Sequence, residues 1–184
     1  MSPERLDREA WVRAGLDALE RGGAAAVSAA ALARSLGVTR GSFYWHFDSR
    51  DELLRAVLEA WEREHSDAVL DALGAVGDPR ERLRLLLGAA TSKPPSLFVR
   101  LLEAQGAEPA VAEVLNRSRA RRVAFLARAF RDCGIAPAAA RRRALAVYAT
   151  YVGMAQLMAG DAQLVGDRER RALARELATM IVPE

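Results

Sequence analysis

The sequence predicts an all-α fold, and three observations carry that prediction. Alanine, leucine and arginine abound, while aromatic residues make up only 6% of the 184 positions, a composition that favours helix over strand. Helix starts and stops recur along the chain. Between Ser28 and Arg50, in SAAALARSLGVTRGSFYWHFDSR, two short helical patterns are joined by a tight turn. The predicted architecture is an N-terminal three-helix head followed by a C-terminal helical bundle.

The first helix is expected over Leu6–Arg21. Trp11, Val12, Gly15 and Leu19 form its apolar stripe, and Gly22-Gly23 stop it. Ser28 then caps a second helix, with Val27 placed to staple onto Leu32. Leu32 and Leu36 share one face. Gly37 stands where a helix ends in a left-handed residue. Thr39 caps a third helix, and Val38 repeats the staple onto Phe43. Ala33 is small enough for the two helices to cross closely. This is helix-turn-helix geometry, the form of a DNA reader.

The third helix has the chemistry for that task. Arg40 can donate two hydrogen bonds to a guanine edge or a phosphate. Gly41 lets the backbone come close, and Ser42 can take either partner. Tyr44, Trp45 and His46 each carry a polar tip on an apolar body. Core packing is the ordinary role for aromatics, and Phe43 and Phe47 are assigned to it. Tyr44 and His46 suit a phosphate-facing surface beside an arginine. The candidate DNA-binding set is therefore Ser28, Thr39, Arg40, Gly41, Ser42, Tyr44, Trp45 and His46. Three arginines (Arg34, Arg40, Arg50) against one acid (Asp48) make the stretch modestly basic.

Ser49-Arg50-Asp51-Glu52 reads as a capping box. It opens a long connecting helix through Leu53, Leu54, Val57, Leu58 and Trp61 to about Leu73, and Gly74 to Gly77 break the chain. Residues 1–50 form the predicted head, and 51–184 the body. Asp78-Pro79-Arg80-Glu81 starts the next helix, to about Ala90. Lys93-Pro94-Pro95-Ser96 is a turn. A short helix over Leu97–Gln105 follows, then a long one from Glu108-Pro109 to Cys133, closed by Gly134. Another runs from Ala136 or Pro137 to Ala159, and Asp167 caps the last, which ends near Val182. The arginine runs at 117–122 and 141–143 lack interleaved aromatics and read as solvated helix faces.

Net charge is only +3, so position rather than total charge argues for nucleic acid. Cys133 is the lone cysteine, which leaves no intrachain disulfide or cysteine metal site. No apolar run is long enough to span a membrane, and the start, MSPERLDREA, is charged, so the expected location is the cytoplasm. No nucleophile–base pair, metal-spaced carboxylates or glycine-rich phosphate loop is present, so neither an enzyme nor a cofactor is expected.

The run LARSLGVTRGSFYWHFDSRDELL resembles the DNA-binding signature of the tetracycline-repressor (TetR) family of bacterial regulators. The Leu-Ala-x3-Gly-Val turn, the Tyr-x-His-Phe block and the Ser-Arg-Asp-Glu-Leu-Leu helix start match in order and spacing. Counting the preceding helix, the likeness covers residues 6 to 60. It implies a homodimer whose recognition helices enter the two halves of a palindromic double-stranded operator. It implies a dimer interface through the last two helices, and a small, mostly apolar effector held in the body. Arg50 matches a position that is usually lysine and contacts phosphate in the family, which adds Arg50 to the candidate DNA-binding set; a solvated surface arginine is the alternative. Ala29 and Ala30 stand where some relatives carry polar or basic side chains.

The expected function is thus a ligand-responsive transcriptional regulator, acting as a repressor. The alternative is a helix-turn-helix DNA-binding protein without a small-molecule ligand. Phe98, Leu102, Phe125, Tyr151, Met154 and Met158, with the polar His65, Glu103 and Gln105, are the candidate effector residues; a plain core is the competing account. Leu173, Leu177 and Ile181 form one candidate dimer stripe, and Tyr148, Val152 and Ala155 another. Burial within a single subunit is the alternative for both.

Overall fold

The computed structural model describes residues 7–92, 96–160 and 166–182. Every regular element among them is helical: α1 (Arg8–Gly22), α2 (Ala29–Ser35), α3 (Arg40–Phe43), α4 (Arg50–Glu62), α5 (Ala68–Gly74), α6 (Pro79–Ser92), α7 (Ser96–Ala104), α8 (Pro109–Asp132), α9 (Pro137–Gly160) and α10 (Asp167–Ile181). The expected turn at Lys93-Pro94-Pro95 lies outside the described residues. The chain groups into two compact units, Met1–His65 with Arg100–Asn116, and Ser66–Val99 with Arg117–Glu184. The first unit therefore does not end at residue 50. It keeps α4, because the apolar face of that helix is already spent on α1, and it takes in a segment from much later in the chain.

In the first unit, Asp7 caps α1 by accepting from the Ala10 N–H at 2.8 Å. Trp11, Gly15, Ala18 and Leu19 are buried along one face, the i, i+4, i+7, i+8 stripe of an amphipathic helix. That face packs on α4, where Leu53, Leu54, Val57 and Leu58 are all but inaccessible. A side chain at Gly15 would overlap Val57, so glycine is what lets the two helices approach. Gly23, at φ 70°, ends α1 by donating to the Leu19 carbonyl at 2.9 Å. Ser49 caps α4 through the Glu52 N–H at 3.1 Å. Glu52 completes the box one residue early, accepting from the Asp48 N–H at 2.8 Å, and also pairs with Arg8 at 3.2 Å.

The predicted long helix is not regular throughout. A π-helical stretch, Arg63–Asp67, joins α4 to α5, and the boundary between the two units falls within it.

In the second unit, Leu83 and Leu87 of α6, Leu126 and Phe130 of α8, and Ala144 and Val147 of α9 share one core. The Asp78 carboxylate accepts from the Arg80 N–H at 2.9 Å as α6 begins. Gly134, at φ 86°, turns the chain from α8 into α9, and the Ile135 N–H donates back to the Phe130 carbonyl at 3.1 Å. α10 packs on α6. Its N-cap is Gly166, and Asp167 is the first helical residue rather than the cap.

The arginine run on α8 is not simply a wet face. Leu115, Ser118 and Leu126 are buried and Arg122 is half-buried, all on one helical stripe. Arg121 binds Asp67 at 2.7 Å. Arg122 donates through Nε to the Ser66 Oγ at 3.4 Å and lies over the rings of Phe98 and Tyr151, 5.8 and 5.5 Å from their centroids. The expectation failed because a guanidinium can face inward when an aromatic face and a hydroxyl receive it.

Candidate nucleic-acid interface

The candidate reading surface starts at Ser28, whose Oγ accepts from the Ala31 N–H at 3.3 Å and caps α2. At the far end Gly37 takes φ 68°, and the Val38 N–H donates to the Ala33 carbonyl at 3.0 Å. The chain leaves that turn extended at Thr39. Thr39 occupies the N-cap position of α3, but its hydroxyl makes no cap hydrogen bond.

α3 itself is a single turn. Beyond Phe43 the backbone tightens, with the Tyr44, Trp45 and His46 N–H groups donating to the carbonyls of Gly41, Ser42 and Phe43 at 3.2, 3.3 and 2.9 Å. Phe43 and Phe47 are buried as expected. Phe43 meets Trp11 edge-on at 5.5 Å and stacks with Phe47 at 5.6 Å. Burying each phenylalanine contributes about 1.5–3 kcal/mol, which holds this segment to α1.

With those two rings turned inward, the others are forced outward. Tyr44 is 55% exposed and Trp45 88%. Arg40 and Gly41 are exposed, and Ser42 and His46 half-buried. His46 lies 6.4 Å from the Trp11 ring. The Arg40 guanidinium reaches the Tyr44 hydroxyl at 3.5 Å, a long contact that leaves its remaining donors for an acceptor from outside. One face therefore presents a cation, a phenol, an indole N–H and a backbone without a side chain in the way. Such groups suit phosphate oxygens and base edges.

Arg50 departs from the expectation attached to it. Its guanidinium turns inward, where Nε donates to the Val27 carbonyl at 3.1 Å and one terminal nitrogen to the Ala24 carbonyl at 2.8 Å. Glu108 takes it in a two-point pair at 2.8 and 3.2 Å. The hydrogen bond with Glu108, ahead of all other causes, raises the Arg50 pKa above its ordinary value. A phosphate role needs free donors on the surface, and most of these are taken. Glu108 was missed in the sequence, where it read only as the start of a helix.

The candidate effector residues divide between the two units. His65, Leu102, Glu103 and Gln105 belong to the first; Phe98, Phe125, Tyr151, Met154 and Met158 to the second. Within the second, Phe98 and Tyr151 lie 5.2 Å apart, Phe98 and Met158 are buried, and Phe125 and Met154 are half-buried. Leu102 is buried, but His65, Glu103 and Gln105 are exposed or nearly so; His65 stacks on Trp61 at 6.4 Å. Ser66, Ser118 and Arg122 are the polar groups beside the Phe98–Tyr151 pair that the sequence did not mark out. Ser66 and Ser118 are almost wholly buried and hydrogen-bonded to each other at 3.2 Å. A shallow groove of about 260 Å³ on the first unit is lined by Arg8, Glu9, Val12, Ala56, Glu59 and Arg63, none of them candidate effector residues.

Two of the candidate dimer residues are already spent. Tyr148 and Ala155 are buried within the chain, and burial pushes the Tyr148 phenol above its ordinary pKa. Val152 and Ile181 pack partly on the same core. Leu173 and Leu177 are half-buried. The outer face of α9 instead shows Leu145 at 42% and Leu157 at 51% exposure.

Among the described residues, no cluster of His, Cys, Asp and Glu is placed to hold a metal ion, and no helix is long and apolar enough to cross a membrane. Burial pushes the Cys133 thiol above its ordinary pKa, the opposite of an activated nucleophile.

Residues 12–57 match the profile of bacterial regulatory proteins of the tetR family. A stretch of 62 residues is 37% identical to "Probable HTH-type transcriptional regulator ArpR" of Pseudomonas putida, covering 29% of this chain and 30% of that protein. The match thus spans under a third of the curated relative. Solved structures match over nearly the whole chain. A Saccharomonospora viridis protein crystallised in complex with choline aligns at a TM-score of 0.81 and 17% identity, over 96% of this chain and 97% of that one. E. coli NemR in its reduced form aligns at 0.79 and 17%, again over 96% and 97%. A transcriptional regulator from Rhodococcus sp. Rha1 aligns at 0.75 and 22%, over 96% of both chains. At these identities the likeness is one of fold.

Proposed function

From the match of residues 12–57 to bacterial regulatory proteins of the tetR family, we propose that this chain is a transcriptional repressor of that family which binds a palindromic operator as a homodimer. The observation that carries the reading is the outward display of Arg40, Gly41, Tyr44 and Trp45 over the buried Phe43 and Phe47. Arg40 reads a base edge. Ser28, Thr39, Ser42, Tyr44, Trp45 and His46 position the backbone phosphates. Two readers on a two-fold axis require equal half-sites. Selection from a random duplex library, followed by fluorescence anisotropy on the selected sequence, tests this. A palindromic consensus is expected; unselective binding that weakens alike for every sequence would sink it.

The dimer forms through α9 and α10. α9 carries apolar residues around its whole circumference, and its inner side is used within the chain. Leu145, Ala149, Gly153 and Leu157 repeat every fourth residue on the outer side. A side chain at Gly153 would meet nothing within 4 Å. Met180 of α10 is 81% exposed. Small residues between leucines suit close helix approach.

The effector is a small hydrophobic molecule bound beside Phe98 and Tyr151. The Saccharomonospora viridis protein was solved with choline, a cation. Here the Arg122 guanidinium already lies over both rings, which disfavours a second cation and favours a ligand bearing an acceptor. Effector binding lowers operator affinity, with a coupling commonly about 1–3 kcal/mol. Thermal shift and operator release, measured together over a ligand library, test it. The burial of Phe98 and Met158 supports the competing reading, a DNA-binding protein without a ligand, and that reading replaces this one if no compound gives either signal.

A further inference from the structure

We propose that Glu108, outside the DNA-reading segment, is a positioning residue for operator binding that acts through Arg50. This rests on the operator-binding reading above. The two carbonyls that Arg50 holds, of Ala24 and Val27, belong to a short 3-10 turn (Ala24–Ala26) between α1 and α2 and to the residue just before the Ser28 cap. Both residues are buried; the Ala24 carbonyl also accepts from the Val27 N–H at 3.2 Å within the turn, and the guanidinium is the side chain that joins the two carbonyls where the backbone enters α2. Arg50 is itself in the first turn of α4. A single side chain therefore ties the start of α2 to the start of α4, the two ends of the reading segment.

A guanidinium aimed at two carbonyls still needs an anion, and Glu108 supplies it from a position 58 residues away. Both carboxylate oxygens are used, a planar geometry that tolerates little displacement. Glu108 is not on a loose loop. Its carbonyl accepts from the Val111 and Ala112 N–H groups at 3.0 and 3.2 Å, and Pro109 follows as the first residue of α8. The carboxylate is thus set by the first turn of a 24-residue helix. Arg50 placed this way is not a phosphate ligand, and the reader's geometry depends on where α8 begins.

The two roles for Arg50 separate cleanly. A phosphate contact needs only positive charge, so Arg50→Lys would bind as the wild type does. A latch needs the fork, which lysine lacks. The experiment measures operator affinity by anisotropy, on the duplex selected by the wild type, at several salt concentrations. Arg50→Lys and the near-isosteric Glu108→Gln are each expected to weaken binding about tenfold, as the two-point pair is part-buried and its charge-assisted hydrogen bonds are the stronger kind. The double variant is expected to be no worse than the weaker single. The slope of log affinity against log salt is expected to stay unchanged in all three. Wild-type affinity in Arg50→Lys, no loss in Glu108→Gln, or a slope reduced by about one phosphate in Arg50→Ala overturns the proposal.

Hydrogen exchange without DNA gives an independent arm. Amides from Ala24 to Leu32 are expected to exchange faster in Arg50→Lys and Glu108→Gln alone, and in Glu108→Asp should either variant fail to fold. Unchanged exchange there overturns the latch even if no operator is found. A wild type that binds no duplex, with exchange altered as expected, overturns the operator reading and leaves the latch standing.

Discussion

Gly15→Ala tests how closely α1 and α4 approach. On an isolated helix the change is favourable by about 0.8–1 kcal/mol, since alanine loses less backbone entropy. Here the new methyl would overlap a Val57 methyl. Val57 is fully buried and, being β-branched in a helix, holds one rotamer firmly. Relief must come from a shift of the helices, at the roughly 1–3 kcal/mol typical of overpacking. The balance is a net loss of about 1 kcal/mol, or a Tm lowered by about 2–4 °C in a chain of this size. Val57→Ala alone empties the same contact and costs about 2 kcal/mol. In the double variant the alanine methyl enters the space the valine leaves. The pair is therefore expected to cost at least about 1 kcal/mol less than the sum of the singles. Urea unfolding of the four proteins measures the cycle. A Gly15→Ala protein more stable than the wild type by the full helix-propensity gain, with additive singles, would refute the close approach.

Three further outcomes are expected. Arg40→Ala lowers discrimination at one base pair per half-site by about 1–3 kcal/mol, whereas Tyr44→Phe weakens all duplexes alike; the two are compared by anisotropy on a panel of single-base operator variants. Leu157→Arg turns the protein into a folded monomer by sedimentation, because the charge enters the outer α9 stripe. The Glu52 carboxyl is held below the ordinary carboxylate pKa, first by the Asp48 N–H and then by Arg8. A lowered folded-state pKa contributes stability above the unfolded value, lost as pH falls through the folded one. Thermal melts from about pH 7 to about pH 3 are expected to show the wild type leading Glu52→Gln near neutrality and losing that lead on acidification.

What the sequence revealed was whatever local chemistry decides. Ser28, Ser49 and Gly37 act within a few residues of themselves, so the caps, the turn and the inward phenylalanines are legible in the order of residues alone. The Arg50–Glu108 pair is not. The residues are far apart in the chain, and an arginine looks the same in sequence whether it meets a phosphate or a glutamate. Which stripe of α9 faces inward is not legible in the sequence for a different reason. Periodicity finds the inner face of a helix only when the outer face is polar, and beyond Arg143 the only polar side chains of α9 are Thr150 and Gln156, so Tyr148 and Ala155 could not be told from Leu145 and Leu157. The division of the units within the helix from Arg50 is likewise invisible locally, since a π turn has the same kinds of residues as the α turns beside it.

The three tryptophans differ sharply in surroundings. Trp11 and Trp61 are buried in the first unit, at 0% and 2% exposure, while Trp45 stands 88% exposed on the candidate reading surface. The protein thereby carries an intrinsic optical reporter. Iodide reaches Trp45 and not the other two, so the quenchable, red-shifted part of the emission comes from one side chain. A duplex seated on that surface shields it from the quencher, and Trp45→Phe leaves a blue, unquenchable signal from the core. Operator occupancy and the integrity of the head can then be followed in a single unlabelled sample, at two ends of one spectrum.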